Sequence, residues 1–164
     1  MLRHLLIAVA LTSLSCAAFG FRSHALLGQD APAVRFGAVD IVVPLPDGAE
    51  LGAYQLELAP LPDLPTRVRV VGIEGGEHAS FKAPPFYDPE AIGNERVILA
   101  AYSTAPELPT GRSRIARVHY EISGAGDLPD PVQLLDLREA LAIDREGNAF
   151  DVPFVLSTSQ GAQP

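Results

Sequence analysis

Ala116-Arg-Val-His-Tyr-Glu-Ile122 is the stretch whose reading decides the fold. Ala116, Val118, Tyr120 and Ile122 are apolar, and Arg117, His119 and Glu121 between them are not. A period of two sends each set to its own face of an extended strand, one face dry and one wet. The same pattern recurs outward along the chain. Val39, Ile41 and Val43 oppose Asp40, while Tyr54, Leu56 and Leu58 oppose Gln55 and Glu57. Arg67-Val-Arg-Val70 repeats it, and 96–103, 132–137, 140–144 and 149–157 are further strand candidates. No long stretch carries a helical stripe. Gly, Pro, Asp and Asn break the chain about every ten residues, the punctuation of short strands. The expectation is an all-β fold, an antiparallel β-sandwich of jelly-roll type with about 8–9 strands.

Two turns are legible in detail. Pro46-Asp-Gly48 is expected to join the first strand pair. Asp144-Arg-Glu-Gly-Asn148 is expected to join the last, with Gly147 and Asn148 free to take positive φ. One short helical turn is expected at Asp88-Pro-Glu-Ala-Ile-Gly93, capped by Asp88, opened by Pro89 and stopped by Gly93.

The first 25 residues differ from the rest. Met1-Leu-Arg-His4 is positive, Leu5 to Leu14 is an uncharged apolar run, and Ala18-Phe-Gly20 or Ser23-His-Ala25 offers a small-x-small cleavage site. That layout is a secretory signal peptide over residues 1–25. Its apolar run is too short for a bilayer core that needs about 20 residues. The mature chain is therefore read as exported, periplasmic or extracellular, with no transmembrane segment. A single domain is expected over 26–158 and a flexible tail over 159–164. Cys16 is the only cysteine. A lipoprotein signal would place Leu three residues before it, where Ser13 stands, so a lipid anchor at Cys16 is disfavoured. Without Cys16 no disulfide can form, and an ordinary hydrophobic core must hold the domain.

Arg3 and Arg22 leave with the leader, so 10 basic residues face 20 acidic ones, a net charge of −10. With no basic cluster, no nucleic-acid partner is expected and anionic membranes are poor partners.

The succession Leu51-Gly-Ala-Tyr-Gln-Leu-Glu-Leu58, Val68-Arg-Val-Val-Gly-Ile-Glu-Gly75, Gly111-Arg-Ser-Arg-Ile-Ala-Arg-Val118 and Ala142-Ile-Asp-Arg-Glu-Gly-Asn148 resembles cohesin domains and their cellulose-binding sandwich relatives. The likeness spans residues 36–157. Such modules often place Tyr-Asp-Pro after the second strand; here Ala59-Pro-Leu-Pro-Asp-Leu-Pro65 stands there, and Tyr87-Asp-Pro89 comes later. No dockerin-binding residue is carried over. The resemblance implies an exported sandwich that binds a protein or a polysaccharide.

Candidate binding residues fall in Glu77–Tyr87, a long connection for a sandwich: His78, Phe81, Phe86 and Tyr87. Exposed rings there would stack on sugars or anchor a partner; alternatively Phe81 and Phe86 fold back to cap the core. Asp144, Glu146, Asn148 and Asp151 could supply oxygen ligands to Ca²⁺, or could simply form a solvated turn. No nucleophile elbow, zinc-protease helix or phosphate loop is present. His78 and His119 are the only histidines outside the leader, and His119 belongs to the wet face of its strand. The chain is read as no enzyme and as needing no cofactor. The first functional expectation is a cohesin-like binding or scaffolding module with a protein partner. Alternatives are a carbohydrate-binding module and a Ca²⁺-stabilised structural sandwich.

Overall fold

The computed structural model describes residues 32–158. The expected leader over 1–25, Cys16 and the tail over 159–164 lie outside the described residues. Among the described residues there are eight strands: β1 (Ala33–Pro44), β2 (Ala53–Pro60), β3 (Arg67–Gly75), β4 (Val97–Tyr102), β5 (Arg112–Gly124), β6 (Leu135–Ile143), β7 (Ala149–Phe150) and β8 (Val155–Thr158). They make two four-stranded antiparallel sheets, the first ordered β3-β5-β1-β8 and the second β4-β2-β6-β7. The fold is an all-β sandwich.

The deciding stretch lies at its centre. Ala116, Val118, Tyr120 and Ile122 of β5 are wholly buried between the sheets, as are Val39, Ile41 and Val43 of the neighbouring β1. From the second sheet Tyr54, Leu56, Leu58 and Leu99 meet them. These inward positions are rich in β-branched residues, which fit a pleated surface buried on one side. Arg117, His119 and Glu121 stay partly open on the outer face.

Where alternation breaks, the ladder carries an extra residue. Ile41 pairs with Ala116 but Val42 with Arg114, so Ile115 is skipped and both Ile115 and Ala116 turn inward. In β3 the extra residue is Val71, which ends exposed. In β6 three steps match two of β2, and Glu139 there adopts φ 47°, the left-handed turn of a bulge. This bulge joins what read as two strands, 140–144 and the later part of 132–137, into one. The front of 132–137 is instead a 3-10 turn, Pro131–Leu134, capped by Asp130, whose carboxylate accepts from Val132 N at 3.1 Å.

Two further expectations are corrected. Residues 149–157 are two strands, because the chain leaves the second sheet after β7 and enters the first as β8. Pro46-Asp-Gly48 makes its turn, with Gly48 at φ 78° and Ala49 N donating to Pro46 O at 3.0 Å, but β1 and β2 do not pair. Every connection between consecutive strands crosses between sheets except β6–β7. The Asp144–Asn148 hairpin joins that pair with Gly147 at φ 93°. The expected Asp88 turn forms as a 3-10 turn over Pro89–Ala91, and a third spans Ala79–Phe81.

Candidate functional site

The connection from β3 to β4 builds one side of the candidate site. A Cβ on Gly75 would lie 2.2 Å from Lys82 O, and one on Gly76 2.6 Å from Arg114 O, so the loop backbone rests directly on the strand ends. Gly76 N donates to Phe81 O at 2.7 Å and Glu77 N to Arg114 O at 2.9 Å. His78 is half-buried and caps the Ala79–Phe81 turn, its Nδ1 accepting from Ser80 N at 3.3 Å and lying 2.7 Å from Ser80 Oγ. The turn drives Phe81 into the core, its ring centroid 5.5 Å from that of Tyr54 at 52°. Across the sandwich the Tyr54 hydroxyl donates to Ile115 O at 3.1 Å. Burial without a charged neighbour pushes the Tyr54 phenol well above its ordinary pKa, so it stays a donor.

Five residues later the same loop behaves differently. Phe86 N donates to Ala100 O at 2.7 Å, and Ala100 N to Phe86 O at 3.0 Å. This one-residue bridge closes part of the free edge of β4. Residues directly opposite in an antiparallel pair share a face, so Phe86 stands beside Ala100 on the outer face, 73% exposed. Pro85 before it is buried, and Tyr87 after it packs half-buried against the core. The four candidates are therefore split: Phe81 and Tyr87 belong to the core, His78 holds a turn, and Phe86 alone projects. They form no shared aromatic platform.

Phe86 has different companions. Ile98, Ala100 and Tyr102 face outward from β4, and Tyr102 is 71% exposed. Ala53 lies opposite Tyr102, Gln55 opposite Ala100, and Leu141 beyond Gln55. Phe86, Tyr102, Ile98, Leu141 and the small Ala53 and Ala100 thus form a continuous apolar face, with Gln55 the polar side chain near its centre. Its lower border is an ion pair. Arg96 Nη2 donates to Glu57 Oε2 at 2.6 Å, and Glu57 is only 6% exposed. That hydrogen bond and the Arg96 charge hold the Glu57 carboxyl below the usual carboxylate range, against the opposing effect of desolvation.

Ile98, Tyr102 and Leu141 were legible as strand residues but not as a site. For Ile98 and Tyr102 the signal was Val97-Ile-Leu-Ala-Ala-Tyr102, apolar at every position, where a strand with one wet face should alternate.

The 144–151 hairpin closes on itself. Asp144 Oδ1 accepts from Asn148 N at 2.7 Å and Oδ2 from Asn148 Nδ2 at 2.8 Å, which lowers the Asp144 pKa. Both carboxylate oxygens thus serve the turn, and Glu146, Asn148 and Asp151 are exposed around it. Among the described residues no group of three or more His, Cys, Asp or Glu side chains is placed to hold a metal ion. His119 lies on the opposite sheet, with Nε2 2.8 Å from Glu74 Oε1 on an open surface.

Removing Phe86 and Tyr102 from water would bury roughly 300 Å² of apolar surface, a gross gain of about 7 kcal/mol before association costs. The face offers water exclusion against another apolar surface. Comparison with protein-family models, curated proteins and solved structures finds no match to this chain.

Proposed function

We propose that this protein is an exported, non-catalytic docking module of the scaffolding kind, which holds a protein partner on the outer face of its second sheet. The observation that carries this reading is the adjacent pair Phe86 and Tyr102, each more than two-thirds exposed on one flat apolar face. Rigid aromatic anchors in such a setting are the usual energetic centre of a protein interface. A polysaccharide is the weaker occupant. Sugar recognition needs several donors and acceptors around the stacking ring, and this patch offers only Gln55 and the Tyr102 hydroxyl. Export rests on the leader pattern of residues 1–25.

Site-specific photo-crosslinking tests the reading. A photoreactive phenylalanine analogue replacing Tyr102 or Phe86 should yield protein adducts in the exported fraction, and the same probe at Asp47 should not. Adducts equally strong at Asp47, or none at 102 and 86, would overturn it. Saturable binding to a glycan panel, lost in Phe86→Ala, would move the assignment to the polysaccharide.

A further inference from the structure

We infer that the partner seated on the second sheet's outer face is a second copy of this chain, presenting its first sheet, so that copies dock head to tail. The inference rests on the docking reading above and adds the identity of the occupant.

The first sheet's outer face has the complementary relief. Ala38, His119 and Gly72 sit side by side in register across β1, β5 and β3. Ala38 adds only a methyl to this row, and the His119 ring lies over Gly72, 3.6 Å from where a Cβ there would stand. Phe36, Val71 and Arg117 stand around it, and Asp130–Pro131 closes one end, enclosing a hollow of about 520 Å³. Phe36 is 66% exposed, and Val71, pushed out by its bulge, is also open to solvent. The second sheet, in contrast, presents projecting rings: Phe86 and Tyr102 are knobs, and the hollow between Ala38, Phe36, Val71 and Pro131 is a hole.

Charge points the same way. The first sheet's outer face carries Arg67, Arg69, Arg112, Arg114 and Arg117 against Asp40, Glu74 and Glu121. Much of this is paired within the sheet, Arg117 to Asp40 at 2.6 and 3.0 Å and Arg69 to Glu121 at 2.6 Å, and with the rim residues Arg35, Glu77 and Asp130 the face is close to balanced. The border of the second sheet's patch carries Glu57, Asp136 and Glu139 against Arg96 and Arg138, with Asp88 and Glu90 just beyond Phe86. The second sheet's border is thus acidic while the first sheet's face is nearly balanced, so two second-sheet faces repel each other more than unlike faces do.

The two faces lie on opposite sides of the sandwich, so the contact is heterologous and cannot close in a pair; it propagates. Four strands at about 4.8 Å spacing give a face about 19 Å wide, a small interface that suits weak, concentration-dependent association.

Sedimentation of the purified protein tests this with two variants. Ala38→Arg fills the hollow, and Phe86→Ser with Tyr102→Ser removes the knobs; all three positions lie on outer faces, and unchanged melting curves check the fold. The wild type should grow in mass beyond a dimer with concentration. Each variant alone should stay monomeric, and their equimolar mixture should stop at a one-to-one dimer, because each retains the face the other lacks. A wild type that remains monomeric at about 1 mM overturns self-docking and leaves the sheet-two reading to the crosslinking result. A dimer that survives Ala38→Arg but not the double serine variant overturns the head-to-tail arrangement while keeping the second sheet as the docking face.

Discussion

Phe81 and Phe86 leave the same loop and end in opposite environments. Phe81 is 4% exposed and Phe86 is 73% exposed. Composition does not separate them, since both are phenylalanines among small residues and prolines. Local backbone does. The 3-10 turn capped by His78 points Phe81 inward beneath Tyr54, while the two-bond bridge to Ala100 fixes Phe86 on the outside of the sheet. Burial at one position is required by packing; exposure at the other is imposed by backbone hydrogen bonds that would be equally good with a polar side chain. An apolar residue kept where the fold does not need it is the better pointer to function.

The comparison breaks most visibly at Phe81. Phe81→Ala should cost about 3–5 kcal/mol, the usual range for emptying a buried phenylalanine site, read as a drop in the urea midpoint. A loss under about 1 kcal/mol would mean that the 76–82 turn does not close the core. Next comes the ring above it. Tyr54→Phe keeps the packing on Phe81 but removes the bond to Ile115 O, leaving a buried carbonyl with one partner fewer. About 1 kcal/mol of stability should go, and an unchanged midpoint would show that the bond contributes nothing across the sandwich.

What the sequence made legible follows from the same division. Strands whose two faces differ, β5 above all, were readable because Arg117, His119 and Glu121 mark the wet side. The Asp88 turn was readable because an N-cap, a proline and a stopping glycine stand in order. Asp130-Pro131 carries the first two of those signals, yet the turn it opens overlaps the front of the 132–137 run, whose apolar residues read as strand. The bulges at Ile115, Val71 and Glu139 were invisible because each depends on the register of a partner strand, which a single chain does not state. The site fell in the same gap. Phe86 was noticed through its loop, whereas Tyr102 and Leu141 reach it only through pairing between β4, β2 and β6.

The patch's lower border offers a smaller, pH-dependent test. Arg96 holds the folded pKa of Glu57 below its unfolded value, which is about 4.3. The stabilisation is therefore fully present above that unfolded value and is lost as pH falls through the depressed folded one. Glu57→Gln, which keeps size and hydrogen bonding but not charge, should melt below the wild type at pH 7. The gap should shrink as pH falls below about 4. A gap that persists unchanged at acid pH would assign the effect to packing of the β6 bulge instead of to the ion pair.

The smallest expected effect on stability belongs to Phe86, and it carries the most weight for function. Phe86→Ser removes a ring that faces solvent and leaves both bonds to Ala100, which run through the backbone. Surface changes of this kind stay within about 0.5 kcal/mol, so the urea midpoint should not move while docking, read by crosslinking from Tyr102, falls sharply. Loss of docking together with a large loss of stability would make Phe86 a structural residue like Phe81, and the two halves of the loop would no longer differ in kind. Retained stability with lost docking would separate them, because the fold tolerates serine at position 86 and the interface does not.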